Sequence, residues 1–225
     1  MLAPVIAIIG CDGSGKSTLA ADLLRSLAPD RAVSLSYLGL GSGAIGARIR
    51  ALPVVGAALE RRLARKAART RSTDDRIPGL ATALVVYAFS QARVRRFRRM
   101  LAMREAGVLV LTDRYPQIEV AGFYDGPGLS AARASSRAVA RLAARERRQY
   151  EWMASHRPTQ VIRLNVDLAT AIARKPDHDP ALLARKVAMT PLLRFGGAPI
   201  ADLDARAPYA QVLEAARDIV RDAVA

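Results

Sequence analysis

The chain is poor in cysteine, histidine and aromatic residues, and it has no long apolar run. Its single cysteine, Cys11, cannot form an internal disulfide, and neither of its two histidines has a nearby histidine or cysteine with which to bind a metal. The longest apolar stretch after the first strand, residues 80–89, is well short of the roughly 20 residues that a membrane-spanning helix needs. Residues 1–9 lack a basic leader. We therefore expect a cytoplasmic protein with no transmembrane segment.

Lysine is scarce as well, yet the net charge is +15 because arginine supplies most of the basic residues. An excess this large indicates anionic partners. Basic residues concentrate at 61–76, 93–104 and 133–148, and in the third stretch arginines recur every four residues, which places them on one face of a helix. That face fits a polyanion or an anionic membrane surface, or it is a solvated face. Phe97 is the one aromatic residue among these arginines, too few to form a series of stacking platforms, so we predict no DNA partner.

Residues 10–17 read Gly-Cys-Asp-Gly-Ser-Gly-Lys-Ser, which matches the phosphate-loop pattern G-x-x-x-x-G-K-[ST] in full. The motif stands between a short apolar run and a helical pattern, so its backbone N–H groups are presented at a helix N-terminus. The lysine adds a point charge at the β- and γ-phosphates of a nucleotide, and the serine can bind Mg²⁺. The residues predicted to bind the nucleotide are Gly10, Asp12, Gly13, Ser14, Gly15, Lys16, Ser17 and Thr18.

Apolar runs of strand length alternate with helical segments along the chain. The strands are predicted at 4–9, 32–38, 107–112, 160–166 and 198–203, and the helices at 16–28, 47–70, 79–105, 129–155, 167–174, 180–189 and 206–223. Such alternation is typical of an α/β fold with a parallel sheet flanked by helices, and we predict one domain over residues 1–225. The segment between the second and third strands is longer than one crossover helix requires. The region that binds the second ligand, the acceptor of a phosphoryl group from the nucleotide, is therefore predicted at 39–106.

A second candidate site follows the third apolar run, at Asp113, Arg114 and Tyr115. A carboxylate at the end of that buried strand faces the phosphate loop across the carboxyl edge of the sheet. Asp113 and Ser17 are therefore the residues predicted to bind Mg²⁺.

With both motifs in view, the chain resembles the thymidylate kinase-like branch of the nucleoside monophosphate kinases, in which the loop often reads G-x-D-G-x-G-K-S-T and the third strand ends in D-R-Y. The resemblance implies a P-loop NTPase fold with five parallel strands in the order 2-3-1-4-5 and a small lid after the fourth strand. It also implies that Asp12 contacts hydroxyl groups of the acceptor and that Arg114 holds its anion.

The chain departs from this family where thymidylate kinases grip their nucleotide. Residues 37–43 are glycine-rich and uncharged where the family usually carries Pro and Arg. Ser90 and Gln91 stand where Asp-Arg is usual, and residues 116–122 lack the Ser and the Tyr-Gln pair that read the base. We expect an intact phosphate-donor half, with thymidylate at best a poor acceptor.

The lid is predicted at residues 173–187. Phosphoryl transfer spreads charge over the γ-phosphoryl oxygens, and a cation delivered there can raise the rate by ~10³ to 10⁵. Some relatives carry an arginine inside the phosphate loop, but this chain has Gly13 there. Arg174 is predicted to supply the cation, with Arg185 and Lys186 as alternatives.

These observations predict a kinase that moves the γ-phosphoryl group of Mg·ATP to a small acceptor, with ATP and Mg²⁺ as cofactors. The predicted catalytic residues are Lys16, Asp113, Arg114 and Arg174. An acceptor phosphate needs no general base, whereas a hydroxyl of a nucleoside, sugar or glycan needs one, for which Asp113 and Asp12 are candidates. A nucleotide-dependent switch or scaffold is a further alternative, although the N-K-x-D guanine motif is absent from the sequence. The oligomeric state is left open, a homodimer included.

Overall fold

The computed structural model describes residues 2–39, 79–120, 125–130 and 133–224. Within these ranges the strands are β1 (Val5–Gly10), β2 (Val33–Tyr37), β3 (Leu109–Asp113), β4 (Gln160–Asn165) and β5 (Ile200–Asp204). The helices are α1 (Lys16–Leu27), α2 (Leu80–Glu105), α3 (Arg137–Ser155), α4 (Leu168–Arg174), α5 (Pro180–Met189) and α6 (Tyr209–Val224). None of these helices has the length and apolar character needed to cross a bilayer.

The described strands form one parallel sheet in the order β2-β3-β1-β4-β5. This confirms the predicted α/β fold and its strand order, which are those of a P-loop NTPase. Strands β1 and β3 are buried along their whole length, whereas the edge strands β2 and β5 keep partly exposed residues. In the register of the sheet, Ile8 lies beside Asp113 of β3, and Ile9 lies beside Arg163 of β4. The ends of three strands therefore meet at the loop that follows β1.

Two helices begin later than the sequence pattern predicts. Helix α3 starts at Arg137 and not near residue 129, because Ser136 caps it by accepting a hydrogen bond from the N–H of Val139 (3.3 Å). Helix α6 starts at Tyr209 and not at residue 206, since a proline at 208 disfavours helical geometry in the residue before it. The helix predicted at 47–70 lies outside the described residues.

Contacts divide the chain into two compact units. The first comprises residues 1–38, 96–115 and 154–225 and contains the sheet. The second comprises residues 39–95 and 116–153. It contains most of the predicted acceptor-binding region, of which residues 40–78 lie outside the described ranges.

A buried carboxylate orders the second unit. Glu146 of α3 is fully buried, and it accepts hydrogen bonds from the backbone N–H groups of Gly128 (3.1 Å) and Leu129 (2.6 Å). The hydroxyl of Ser90 on α2 also donates to it. One side chain thus ties the turn at 128–129 to both helices, and both of its oxygens are used.

Replacing Glu146 by Gln should lower the free energy of unfolding by about 1–3 kcal/mol, because an amide has one acceptor oxygen and a buried donor would lose its partner. Urea unfolding followed by circular dichroism measures the change. Glu151→Gln is the matched control, since Glu151 pairs with Arg147 on the exposed side of α3 and its loss should cost less than about 1 kcal/mol. Equal losses in the two variants would contradict the role given to Glu146.

Candidate functional site

The loop between β1 and α1 has the backbone conformation of a phosphate cradle. Gly10 and Gly13 have φ angles of +155° and +87°, which residues with a Cβ rarely adopt. A Cβ on Gly10 would lie 2.4 Å from Oγ of Ser14 and 2.8 Å from the carbonyl oxygen of Leu164 on β4. A Cβ on Gly13 would lie 3.2 Å from the carbonyl oxygen of Ala171 on α4. These glycines let the loop turn tightly between its neighbours.

Helix α1 begins directly behind this loop. Its N-cap is Gly15, at φ +86°, and no described side chain caps the helix. The first backbone N–H groups of a helix have no partner within it, and the helix dipole adds partial positive charge at that end. The N-terminus of α1 is therefore suited to an anion, as the phosphate-loop motif predicts.

Lys16, the first residue of α1, folds back over the loop. Its ammonium group donates to the carbonyl oxygen of Cys11 (3.2 Å) and lies 3.7 Å from a carboxylate oxygen of Asp12. Only 9% of the side chain is exposed. Because charge is weakly screened in such a position, this ammonium group attracts phosphate oxygens strongly.

Ser17 and Asp113 meet across the edge of the sheet. The hydroxyl of Ser17 donates to Oδ2 of Asp113 at 2.6 Å. The other carboxylate oxygen, Oδ1, is buried and has no hydrogen-bond partner within the described part of the chain. A hydroxyl and an unsatisfied carboxylate oxygen suit Mg²⁺, which is usually held by one or two carboxylates together with waters and substrate phosphates. These two residues therefore fit the predicted ion, although the described ranges contain no cluster of three or more His, Cys, Asp or Glu that could hold a metal.

Asp12, in the middle of the loop, is surrounded by basic side chains. It forms an ion pair with Lys186 on α5, and the ammonium of Lys16 and the guanidinium of Arg114 each lie 3.7 Å away. Nδ1 of His178 lies 3.5 Å away. Burial favours the neutral acid, but the charge and hydrogen bond of Lys186, with the other basic neighbours, hold the pKa of Asp12 at about 2. Asp12 is therefore ionised at neutral pH and is held by its basic neighbours.

Arg114, directly after β3, has a strained backbone. Its φ of +75° lies in the left-handed region, which costs a residue other than glycine of order 1–3 kcal/mol. Its N–H donates to the carbonyl oxygen of Ile8 (3.2 Å), and its side chain, 31% exposed, faces Asp12. The next residue, Tyr115, is buried with its ring edge-on to Phe97 (5.7 Å between ring centroids). The strained turn thus directs a cation to the loop while the tyrosine is held in the core.

Arg174, the last residue of α4, also reaches the loop. It donates from Nη1 to the carbonyl oxygen of Gly13 (3.2 Å) and from Nη2 to that of Ala205 after β5 (3.0 Å). The residue is exposed to solvent. The predicted lid segment therefore brings two cations to the phosphate loop, Arg174 from α4 and Lys186 from α5.

Two proteins of Escherichia coli (strain K12) are similar to the chain along almost its whole length. It is 46% identical to "Uncharacterized ATP-binding protein YghR" over 217 residues, and this alignment covers 96% of the chain and 86% of YghR. It is 49% identical to "Uncharacterized ATP-binding protein YghS" over 212 residues, and this alignment covers 94% of the chain and 90% of YghS. The chain belongs to the YghR/YghS family. No family model matches it.

Sequence reasoning missed part of the site in this member of the YghR/YghS family. Lys186 was only an alternative to Arg174, because its contact with Asp12 joins residues 174 positions apart and no local pattern encodes it. His178 has no histidine or cysteine near it in the sequence, and a lone histidine carries no spacing signal for the place it takes beside Asp12. Arg163 could have been noticed, since it is a charge between the apolar residues Ile162 and Leu164 in the middle of a strand.

The low pKa of Asp12 predicts how stability depends on pH. A carboxylate whose pKa falls from 3.8 to about 2 on folding stabilises the native state above pH 4, and this stabilisation is lost as the pH falls from about 4 to 2. Asp12→Asn should therefore lower the free energy of unfolding by about 2 kcal/mol at pH 7, with a smaller difference at pH 2. Urea unfolding across this pH range measures it.

The control for Asp12→Asn is Asp30→Asn, at an exposed carboxylate after α1, which should leave the free energy of unfolding nearly unchanged at each pH. A wild-type-like pH dependence in Asp12→Asn would show that its basic neighbours do not stabilise the carboxylate.

Proposed function

We propose that this chain is a P-loop phosphotransferase that binds Mg·ATP and moves the γ-phosphoryl group to a small acceptor. The observation that carries the proposal is the contact of Ser17 with Asp113, which brings a metal-binding hydroxyl and a half-satisfied carboxylate together beside the loop. The names of YghR and YghS describe ATP-binding proteins, which supports ATP as the bound nucleotide. The two sequence motifs support a thymidylate kinase-like reaction.

The donor would be held by the backbone of the loop and by Lys16. The N–H groups at the start of α1 would bind phosphate oxygens, and Lys16 would leave the carbonyl oxygen of Cys11 for the β- and γ-phosphates. Ser17 and Asp113 would hold Mg²⁺ directly or through water. The ion, when bound, would neutralise charge on the β- and γ-phosphoryl oxygens.

The lid segment would supply the cation that the loop lacks. With Gly13 in the loop, charge on the transferred group has to be met from elsewhere. Arg174 is exposed and already within hydrogen-bond distance of Gly13, so a small movement of its side chain would reach a bound phosphate. Lys186 is the second cation of the lid at this loop.

The acceptor would lie near Arg114, which the family resemblance assigns to the acceptor anion. Ser90 donates to Glu146, and Gln91 forms a 2.7 Å hydrogen bond to Gln149, so both residues connect α2 to α3. Thymidylate kinases usually carry Asp-Arg at these two positions. This difference favours an acceptor other than thymidylate.

A hydroxyl acceptor is the second candidate, because the segments that would read a nucleotide base depart from the family pattern. Such an acceptor needs a general base. Because Asp12 is already paired with Lys186, that role would fall to Asp113, the other candidate from the sequence, which has a carboxylate oxygen without a hydrogen-bond partner in the described part of the chain.

The experiment is a screen for ATP consumption against nucleosides, nucleoside monophosphates, sugars and glycan termini. In the reaction with the best acceptor, Lys16→Ala should lower kcat/KM by roughly 10²–10³-fold, the range for loss of one donor that stabilises the transition state. Lys175→Ala removes an exposed lysine of the lid loop and should retain activity within about threefold. Undiminished transfer by a folded Lys16→Ala protein, or no ATP binding by the wild type, would contradict the proposal.

A further inference from the structure

Arg163 is a nearly buried arginine in the middle of β4, with 6% of its side chain exposed. Its guanidinium holds Asp202 on β5 by two parallel hydrogen bonds, from Nε to Oδ1 (2.6 Å) and from Nη2 to Oδ2 (2.8 Å). Asn165 donates to the same carboxylate (2.6 Å). Because a guanidinium and a carboxylate match in this geometry, the arginine has a fixed orientation between the two strands.

The remaining nitrogen of Arg163 points at the chain that follows α5. Nη1 donates to the carbonyl oxygens of Thr190 (3.4 Å), Pro191 (3.1 Å) and Leu193 (3.1 Å). Thr190 is the C-cap of α5, where backbone acceptors have no partner within the helix and a cation is favourable. Pro191 and Leu193 lie in and just after the 3₁₀ turn Thr190–Leu192 that follows. One buried side chain therefore anchors the segment just after the predicted lid (173–187) to the sheet.

The anchor connects to the phosphate loop through one helical turn of α5. The backbone N–H of Thr190 donates to the carbonyl oxygen of Lys186, and so does its hydroxyl (2.8 Å). The side chain of Lys186 in turn forms the ion pair with Asp12 in the loop. Thr190 is thus held by Arg163 on one side and holds the backbone of Lys186 on the other.

Both ends of this series of contacts belong to the same sheet. Arg163 on β4 lies beside Ile9, one residue before β1 ends at Gly10 and the phosphate loop begins. A sheet strand is a more rigid support than a loop for a functional group. The C-terminal end of α5 and the phosphate loop are therefore both attached to the sheet, through β4 and β1. These two attachments set the distance between Lys186 and the loop.

We propose that Arg163 is a positioning residue, which fixes the C-terminal end of α5 so that Lys186 is held at the phosphate loop. The effect of Arg163 on nucleotide affinity rests on the proposed function, whereas its positioning of α5 is independent of that function. Loss of Arg163 should free α5 from the sheet without disturbing the helices that the arginine does not contact.

Hydrogen exchange of the full chain without nucleotide tests the positioning. In Arg163→Met, amides at 183–189 should exchange at least about tenfold faster than in the wild type, while those of α6 stay within about twofold. Thr190→Val, which replaces the hydroxyl by a methyl group, should accelerate the exchange of the same amides. Thr190→Ser, which keeps the hydroxyl, should leave their exchange close to that of the wild type. Equal acceleration in α6, or unchanged exchange at 183–189, would overturn the proposal.

A double-mutant cycle on the Kd for Mg·ATP tests whether Arg163 acts through Lys186. Arg163→Met should weaken binding about tenfold in the wild-type background and less than about twofold in the Lys186→Met background. Lys175→Met is the control background, in which the full tenfold loss should persist.

Additive losses in the Lys186→Met background, or no effect of Lys186→Met itself, would show that Arg163 does not act on the nucleotide through Lys186 and would overturn that step. A wild-type chain that fails to bind Mg·ATP would contradict the proposed function. The exchange experiment, which needs no nucleotide, would then decide the positioning role alone.

Discussion

The register between β1 and β3 is the constraint on which the candidate site depends. Ile8 lies beside Asp113, so β3 ends two residues before β1 enters the phosphate loop at Gly10. That alignment lets the hydroxyl of Ser17 meet the carboxylate of Asp113, although 96 positions separate the two residues. A slip of one residue would turn Asp113 to the other face of the sheet and remove the carboxylate from the loop. The buried apolar residues of both strands fix the register, and so packing in the core places the chemistry at the edge.

Much of the first unit could be predicted from the sequence because its signals are local. The apolar runs predicted the parallel α/β sheet, and the family resemblance carried by the phosphate-loop motif and the D-R-Y at the end of β3 implied the strand order that the structure shows. The helix starts were less predictable, since α3 waits for a serine cap and α6 for a proline, and these signals are weaker than the helical periodicity around them.

The contacts of the lid could not be predicted in the same way. The ion pair between Lys186 and Asp12 and the contacts of Arg163 with residues 190–193 depend on the path of the chain after β4. A single sequence contains no periodic or spacing signal for such pairs. The residues 40–78 lie outside the described ranges, so the acceptor-binding region predicted there stays a prediction.

Around Asp12 the site has an excess of basic side chains. Asp12 neutralises part of the charge of the loop, and the basic groups near it come from the loop itself, from the end of β3 and from the predicted lid. An anionic ligand with several phosphates would relieve the repulsion among these cations. The same electrostatic argument explains why the pKa of Asp12 is low and why the loop is suited to a nucleotide.

The most direct test of the central claim is the dependence of ATP affinity on Mg²⁺, measured by calorimetry for the wild type and for Asp113→Asn with Mg²⁺ or with a chelator. If Ser17 and Asp113 form a metal site beside the loop, Mg²⁺ should tighten ATP binding in the wild type by at least about tenfold, which is the lower end of the change in metal affinity that the partners of a metal site produce. Most of that gain should disappear in Asp113→Asn. Binding that is indifferent to Mg²⁺ in the wild type, or an unchanged gain in Asp113→Asn, would contradict the account.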